Sequence, residues 1–296
     1  MKYLKLGLSD LEVSEIGFGC MSLGEAADNH EIINEALNAG INYFDTADLY
    51  DKGANEMLIG NLLKPRRKQL ILATKVGNKF REDGSGWDWS PSKAYILASV
   101  NESLKRLQTD YIDLYQLHGG TLDDPIDDII EAFEILKSEG KIRYYGISSI
   151  RPSVIREYVS RSNIVSVMTQ YSLLDRRPEE FTLNFLKENN IGVLARGPLA
   201  QGLLIDKAPK PYVDSSEEQV KIAADVIAGL SGESRKKAQL ALQYVLQNPA
   251  ITAVVVGFRT KAQLEDIISS QPLNLTAEER TVLEHTVATA QYKEHR

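Results

Sequence analysis

Short β-branched runs alternate with amphipathic stretches along nearly the whole chain. The runs are Ser14–Phe18, Ile41–Asp45, Leu70–Lys75, Ile112–Leu117, Arg143–Ser148, Val165–Gln170, Gly192–Ala195 and Ala253–Val256. Their length and β-branched content predict strands. Each precedes a segment whose apolar residues recur every three or four positions, the period of a helix. His30–Asn38 turns Ile32, Ile33, Ala36 and Leu37 to one face and stops at Gly40, the residue type that ends helices most readily. Ser90 followed by Pro91 predicts an N-cap with proline at the first helical position, opening a helix with Ile96, Val100, Leu104 and Leu107 inward. Ile126–Leu136 repeats the pattern up to Gly140, and Pro178 predicts the start of a helix carrying Phe181, Phe185 and Leu186.

Eight strand-then-helix units predict an α/β fold, a closed (β/α)8 TIM barrel, which takes about 250 residues. The surplus of this 296-residue chain has identifiable uses. Residues 2–13 alternate apolar and polar positions around a glycine, which suits an N-terminal hairpin plugging the barrel bottom. A long interval between the seventh and eighth strands holds Lys207–Pro211 and two helical patterns, and Thr276-Ala277-Glu278-Glu279 is a capping box that opens an extra C-terminal helix. No linker or low-complexity segment divides the chain, so residues 1–296 read as a single domain. The competing architecture is an open doubly wound sheet. It would want G-x-G-x-x-G after the first strand, and Gly17-Phe18-Gly19-Cys20-Met21-Ser22 breaks that pattern.

Composition narrows the function classes. With 34 basic and 41 acidic side chains the net charge is −7, which disfavours a general nucleic-acid surface, since phosphates demand clustered Lys and Arg. No apolar run approaches the roughly 20 residues of a membrane helix. Met1–Gly7 lacks the apolar core of a secretory signal, so export is not indicated. The single cysteine, Cys20, cannot form an intrachain disulfide and fits a reducing cytosol.

In a barrel of this kind the C-terminal strand ends surround the active site. The second strand ends in Asp45, with Tyr50 in the following loop; the third ends in Lys75; the fourth runs into His118. Taken singly, Asp45 fits a helix cap, Lys75 a solvated charge, Tyr50 loop packing and His118 a core histidine. Their joint placement at consecutive strand ends favours one site. A phenol is a poor acid at neutral pH unless its anion is stabilised. An ammonium beside it does that, and a carboxylate beyond holds the ammonium charged. Tyr50, Lys75 and Asp45 make such a relay, and His118 can orient a substrate oxygen opposite the tyrosine. The chemistry that fits is protonation of a carbonyl oxygen while an electron pair reaches carbon.

The run Gly40-Ile41-Asn42-Tyr43-Phe44-Asp45-Thr46-Ala47-Asp48-Leu49-Tyr50, continued by Gly53-Ala54-Asn55-Glu56 and Leu58-Ile59-Gly60, resembles the signature of the aldo-keto reductases. Asp113–His118 and Gly140–Ser148 look like two further blocks of that family, in the style of its bacterial branch related to potassium-channel β-subunits. The resemblance implies an NADPH-dependent oxidoreductase (alcohol dehydrogenase type) reducing aldehydes or ketones, cytoplasmic, with Tyr50 as general acid assisted by Asp45, Lys75 and His118. The implied partner is a small-molecule carbonyl substrate, with neither nucleic acid nor membrane. No oligomeric state is selected.

The same resemblance implies an NADPH (NADP+) site position by position. Ser148 and Gln170 match residues that bond the nicotinamide carboxamide, and Ser149 stands where the family usually has Asn. After the seventh strand, Ala195-Arg196-Gly197-Pro198-Leu199 replaces the usual aromatic. The planar guanidinium of Arg196 suits stacking on the nicotinamide, with a pyrophosphate oxygen as the alternative. Gly202 continues the pyrophosphate loop. Gly257, Arg259 and Lys261 match the segment at a helix start that receives the 2′-phosphate, which favours NADPH over NADH. Gln263 and Asp266 match adenosine contacts, whereas Ile267 holds a position that is commonly Asn.

The loop after Lys75 is rich in glycine and carries both tryptophans, Trp87 and Trp89. A lid over the mouth is the expectation for one of them. Packing on the following helix is the plainer fate, above all for Trp89. Met21 is another candidate wall, of cofactor and substrate alike. Three alternatives stand beside the reductase reading. A nucleotide-sensing or partner-binding protein would keep the cofactor site with slow chemistry. A Schiff-base lyase on Lys75 would need a depressed pKa, against which Asp45 acts. A metal-dependent hydrolase is disfavoured by four scattered histidines, which offer no ligand cluster, so no metal is expected.

Overall fold

A computed structural model describes residues 1–24, 28–233, 235–268 and 274–296. Two short strands, β1 (Tyr3–Lys5) and β2 (Glu12–Ser14), pair antiparallel. The chain then enters the barrel through β3 (Ile16–Gly19), α1 (Asn29–Asn38), β4 (Tyr43–Asp45) and α2 (Ala54–Leu63). Strand β5 (Ile71–Val76) leads into a hairpin, β6 (Asn78–Phe80) and β7 (Trp87–Trp89), and then into α3 (Lys93–Leu107). There follow β8 (Ile112–Leu117), α4 (Ile126–Ser138), β9 (Ile142–Ser148), α5 (Pro152–Arg161), β10 (Ser166–Gln170), α6 (Thr182–Glu188) and β11 (Gly192–Arg196). Helices α7 (Glu217–Leu230) and α8 (Lys237–Leu246) fill the long interval before β12 (Ile251–Gly257), and α9 (Lys261–Ile268) and α10 (Ala277–Thr286) complete the chain. The parallel strands close in the order β10-β11-β12-β3-β4-β5-β8-β9.

The eight expected strands are these eight, and the barrel is the expected one. Alternation along each strand splits the core in two. Outward residues such as Phe44, Leu72, Tyr115 and Ile147 join the helices, whereas Tyr43, Ile71, Ala73, Leu114, Met168, Leu194 and Val255 fill the interior. The interior is sealed from below by Leu6, Leu11 and Val13 of the hairpin, as the alternation of residues 2–13 predicts. Gly7 makes this docking possible. Its φ is +57°, and a Cβ there would strike the Val165 carbonyl. The capping box at Thr276 is also present: its Oγ1 accepts from Glu279 N–H at 3.2 Å, and Glu279 Oε2 accepts from Thr276 N–H at 2.9 Å.

Local departures have identifiable causes. Helix α3 is capped by Ser92, whose Oγ accepts from Tyr95 N–H, and not by Ser90. Ser90 N–H instead donates to the Gly77 carbonyl at 2.8 Å, so the chain is still closing the β6–β7 hairpin there. The loop expected after Lys75 is this hairpin, with Asn78 opposite Trp89 and Phe80 opposite Trp87. Pro178 opens a single 3-10 turn, Arg177–Glu180, and Phe181 (φ −149°) breaks the path before α6 begins. Arg177 is turned back onto Asp175 at 2.8 Å, which fixes that turn apart from the helix. The second strand starts at Tyr43 because Asn42 is diverted: its side chain bonds Glu12 and Ser14 of the plugging hairpin. Among the described residues, no helix is long and apolar enough to cross a membrane.

Candidate active site

The alternation that fills the interior also delivers a polar ring one step higher. On β4 the inward Tyr43 is followed by Asp45, on β5 Ala73 by Lys75, and on β8 Leu114 by Gln116. Across the mouth Met168 is followed by Gln170, Leu194 by Arg196 and Val255 by Gly257. The sheet register sets Lys75 beside Gln116 and Gln170 beside Arg196.

Asp45 and Lys75 form a buried ion pair. Lys75 Nζ lies 2.5 Å from Asp45 Oδ2, donates to the Thr46 carbonyl at 2.8 Å, and reaches Tyr50 Oη at 3.5 Å. Asp45 Oδ1 accepts from Gln116 Nε2 at 3.2 Å and from Tyr43 Oη at 3.4 Å. Burial lifts the Asp45 carboxyl above its ordinary range, opposed by Lys75 and these donors. Burial also works against the lysine's charge. The carboxylate and the Tyr50 oxygen outweigh it, so the Lys75 ammonium is held above its usual value. Such a pair must stay intact, because either charge left alone in the interior is strongly unfavourable.

Tyr50 rides a short 3-10 turn after β4 and is half-buried. The His118 ring meets it edge-on, 6.0 Å between centroids at 83°. Burial first, then the charges of Lys75 and Arg196, push the His118 imidazole down to about 3. It is therefore neutral at neutral pH and has one N–H to donate. Its Nδ1 has no partner among the described residues. Cys20, just beyond β3, is fully buried, and burial pushes its thiol up; it stays protonated and is no nucleophile. The four residues that the sequence singled out thus converge. Gln116, Tyr43 and Thr46 were missed. Gln116 was within reach of the pattern, since it lies two residues beyond the inward Leu114.

The opposite rim holds a second polar row. Ser148 and Ser149 are largely buried at the end of β9. Ser149 N–H donates to the Met168 carbonyl at 2.9 Å, and its Oγ accepts from Arg151 N–H at 3.2 Å. Gln170 Nε2 donates to Asp175 Oδ2 and its Oε1 accepts from Arg196 Nη1, both at 2.8 Å. One edge of the Arg196 guanidinium is thereby fixed while it keeps no acidic partner among the described residues. Pro198 is buried, Leu199 half-buried, and Gly202 turns the chain at φ +91°. Beyond Gly257, the Gln263 side chain accepts from Arg259 N–H at 2.9 Å, and Thr260 Oγ1 accepts from Gln263 N–H at 3.3 Å, so both cap α9. Arg259 has no acidic partner among the described residues, whereas Lys261 lies 3.2 Å from Glu35 and 3.7 Å from Glu265. Asp266 is exposed. Ile267 is buried in the core, which accounts for an apolar residue there.

Trp89 packs against the core cluster that includes Ile96 and Val100 of α3, and it also reaches the mouth. Its ring lies against Gly77 and Gly119, where added Cβ atoms would come within 2.5 Å and 3.3 Å of it. Its Nε1 donates to Asp124 Oδ1 at 2.8 Å. It therefore stands next to His118 at the mouth. Trp87 and Met21 are exposed, at 49% and 63%. Among the described residues, no group of three or more His, Cys, Asp or Glu is placed to hold a metal ion.

Residues 15–287 match the model of the Aldo/keto reductase family. The chain belongs to that family. It is therefore an oxidoreductase on the aldo-keto reductase (β/α)8 barrel. It is 50% identical to "Uncharacterized oxidoreductase YqkF" of Bacillus subtilis, with each chain covered completely. It is 33% identical to L-galactose dehydrogenase of Arabidopsis thaliana, over 90% of this chain and 86% of that one. Among solved structures it is similar to the aldo-keto reductase AKR11C1 from Bacillus halodurans. The holo form aligns with a TM-score of 0.93 at 51% identity, and the apo form with 0.85 at 48%; each alignment covers 100% of this chain and 99% of the other.

Proposed function

We propose that this chain, as one barrel domain working in a reducing cytosol, reduces aldehydes or ketones to alcohols with NADPH, and that Tyr50 is the general acid. The observation that carries the reading is the position of Lys75 Nζ, between the Asp45 carboxylate at 2.5 Å and the Tyr50 hydroxyl at 3.5 Å. An ammonium held charged beside a phenol favours the phenolate, which eases loss of the phenolic proton to a carbonyl oxygen. Neutral His118 donates its N–H to that same oxygen and aims it at Tyr50. Trp89 walls the mouth next to His118 and helps to exclude water. Trp87 and Met21 are free at the surface to meet substrate, and Met21 also to meet cofactor.

The residues present suit a dinucleotide phosphate. Arg196 and Arg259 carry charges with no acidic partner among the described residues, on the rim that holds Ser148, Ser149 and Gln170. These residues, with Pro198, Leu199, Gly202, Gly257, Lys261, Gln263 and Asp266, would hold NADPH. A 2′-phosphate suits Arg259 and the start of α9. When bound, the dihydronicotinamide supplies the hydride for the carbonyl carbon.

The test is Tyr50→Phe, which removes one hydroxyl. NADPH affinity, measured by fluorescence titration, stays within about twofold, and turnover of a small aldehyde falls by 10² to 10⁴, roughly what general acid catalysis contributes. Wild-type turnover in that variant would overturn the mechanism.

A further inference from the structure

The geometry points to Thr46 and Asn55 as positioning residues: the hydrogen bond between their side chains closes the loop that carries Tyr50 and sets the phenol's place beside Lys75. The inference rests on Tyr50 being the proton donor, as proposed above.

Thr46 and Asn55 are almost entirely buried. Thr46 Oγ1 donates to Asn55 Oδ1 at 2.6 Å. The other described hydrogen bonds tie Thr46 to β5 and the Asn55 side chain to the segment after β3. Thr46 N–H donates to the Ala73 carbonyl at 2.9 Å, and the Thr46 carbonyl accepts from Lys75 Nζ at 2.8 Å. Asn55 Nδ2 donates to the carbonyls of Cys20 at 2.9 Å and Leu23 at 3.2 Å, beyond β3. One short bond therefore joins the residue that holds the catalytic ammonium to the first turn of α2.

Loop 46–55 needs such a tie. Tyr50 is followed by three residues in the left-handed region: Asp51 (φ 48°), Lys52 (φ 54°) and Gly53 (φ 87°). Only the last is a glycine, so the path is sterically costly at Asp51 and Lys52 and persists only where the surroundings enforce it. Gly53 cannot relax outward, because Arg106 lies against it: a Cβ there would meet Arg106 Cδ at 2.9 Å. Arg106 is in turn held by Glu56 at 2.6 Å, and Glu56 accepts from Thr74 Oγ1 at 2.6 Å. Consecutive residues of α2 thus reach the neighbours of both Asp45 and Lys75. With the hydroxyl of Thr46 gone, Asn55 Oδ1 loses this donor in the interior, and the strained loop is free to relax away from Lys75.

Four single variants of the full chain test the inference: Thr46→Val, Thr46→Ser, Thr46→Cys and Tyr50→Phe. Reduction of 4-nitrobenzaldehyde gives kcat and KM, and fluorescence titration gives the NADPH Kd. Thr46→Val keeps the shape without the donor, and its kcat falls on the order of 10²-fold, the cost of a misplacement of about 1 Å. Its NADPH Kd stays within about twofold. Thr46→Ser restores the hydroxyl and recovers kcat to within about threefold. Thr46→Cys, a weaker donor of similar size, falls about tenfold below Ser, roughly one hydrogen bond; this pair carries the test should the valine variant not fold. Wild-type kcat in Thr46→Val, equal kcat in the Ser and Cys variants, or a loss in Thr46→Val that appears in the NADPH Kd would each overturn the positioning role. An inactive Tyr50→Phe beside a fully active Thr46→Val sinks this inference alone. Wild-type turnover in Tyr50→Phe sinks the general-acid reading beneath it.

Discussion

Replacing His118 by asparagine tests whether the mouth keeps its imidazole neutral. Burial, Lys75 and Arg196 take the group from 6.5 down to about 3. The sign follows from which state binds the proton first. As pH falls below about 6.5 the unfolded chain protonates its histidine while the folded chain does not. The stability involved is therefore fully present above 6.5 and is lost progressively as pH falls towards 3. One proton of difference gives a slope of about 1.4 kcal/mol per pH unit. From pH 7 to about pH 4.5 this single group removes about 2–3 kcal/mol, a large share of a typical domain stability of 5–15 kcal/mol.

Urea unfolding followed by tryptophan fluorescence at those two pH values, for wild type and His118→Asn, isolates the effect. Buried carboxylates titrate in both proteins and cancel in the difference of differences. The wild type should lose about 2–3 kcal/mol more than the variant. Equal losses, within about 0.5 kcal/mol, would refute the argument that burial and two cations keep His118 neutral. The functional corollary is that kcat shows no acid limb from imidazole in the ordinary working range, because the ring is half-protonated only at about pH 3.

Two more substitutions separate close alternatives. Arg259→Ala should raise the NADPH Kd about tenfold or more, with NADH nearly unaffected, because a charge-assisted contact to phosphate contributes about 1.5–3 kcal/mol. Lys261→Ala should cost distinctly less, since Glu35 at 3.2 Å and Glu265 at 3.7 Å already engage that ammonium; equal effects by titration would contradict this. Gly60→Ala should destabilise by about 3 kcal/mol in urea unfolding, through overpacking. The added Cβ would lie 2.6 Å from the Arg106 carbonyl and 2.7 Å from the Leu107 carbonyl carbon, forcing α2 from α3, and unchanged stability would refute that.

What was legible in the sequence was what repeats locally. Period-two alternation on β4, β5 and β8 is enough to see that Asp45 and Lys75 share a face, because each stands two residues above an interior apolar position. Turn and capping chemistry was legible where partners are near in sequence, as at Thr276 with Glu279. It failed where a distant partner decides. Ser90 and Ser92 are equally good cap residues by type. The Gly77 carbonyl takes the Ser90 N–H and leaves the cap to Ser92. Trp89 is drawn to the mouth by two bare glycine backbones and by Asp124, 35 positions away. The left-handed conformation of Lys52 carries no residue signal, since lysine, unlike glycine, asparagine or the preceding aspartate, has no preference for it.

Charge shows the same limit. A net charge of −7 says little about the rim proposed to hold a dinucleotide phosphate, and counting Lys75, Arg196, Arg259 and Lys261 as four equal cations overstates its charge. Lys75 is neutralised by Asp45 at 2.5 Å, and Lys261 is shared between Glu35 and Glu265. Among the described residues, Arg196 bonds only the neutral Gln170 through its side chain, and Arg259 makes its contact through its backbone N–H alone. Arg196 and Arg259 are therefore the two of these four cations without an acidic partner among the described residues, at the end of β11 and just beyond the adjacent β12. Arg196 is held by Gln170, and Gln170 by Asp175, which itself takes two bonds from Arg177. The run Arg177–Asp175–Gln170 thus anchors Nη1 of the Arg196 guanidinium at the rim. That is a firmer reason to place it against a flat ring or a phosphate than the presence of an arginine after the seventh strand.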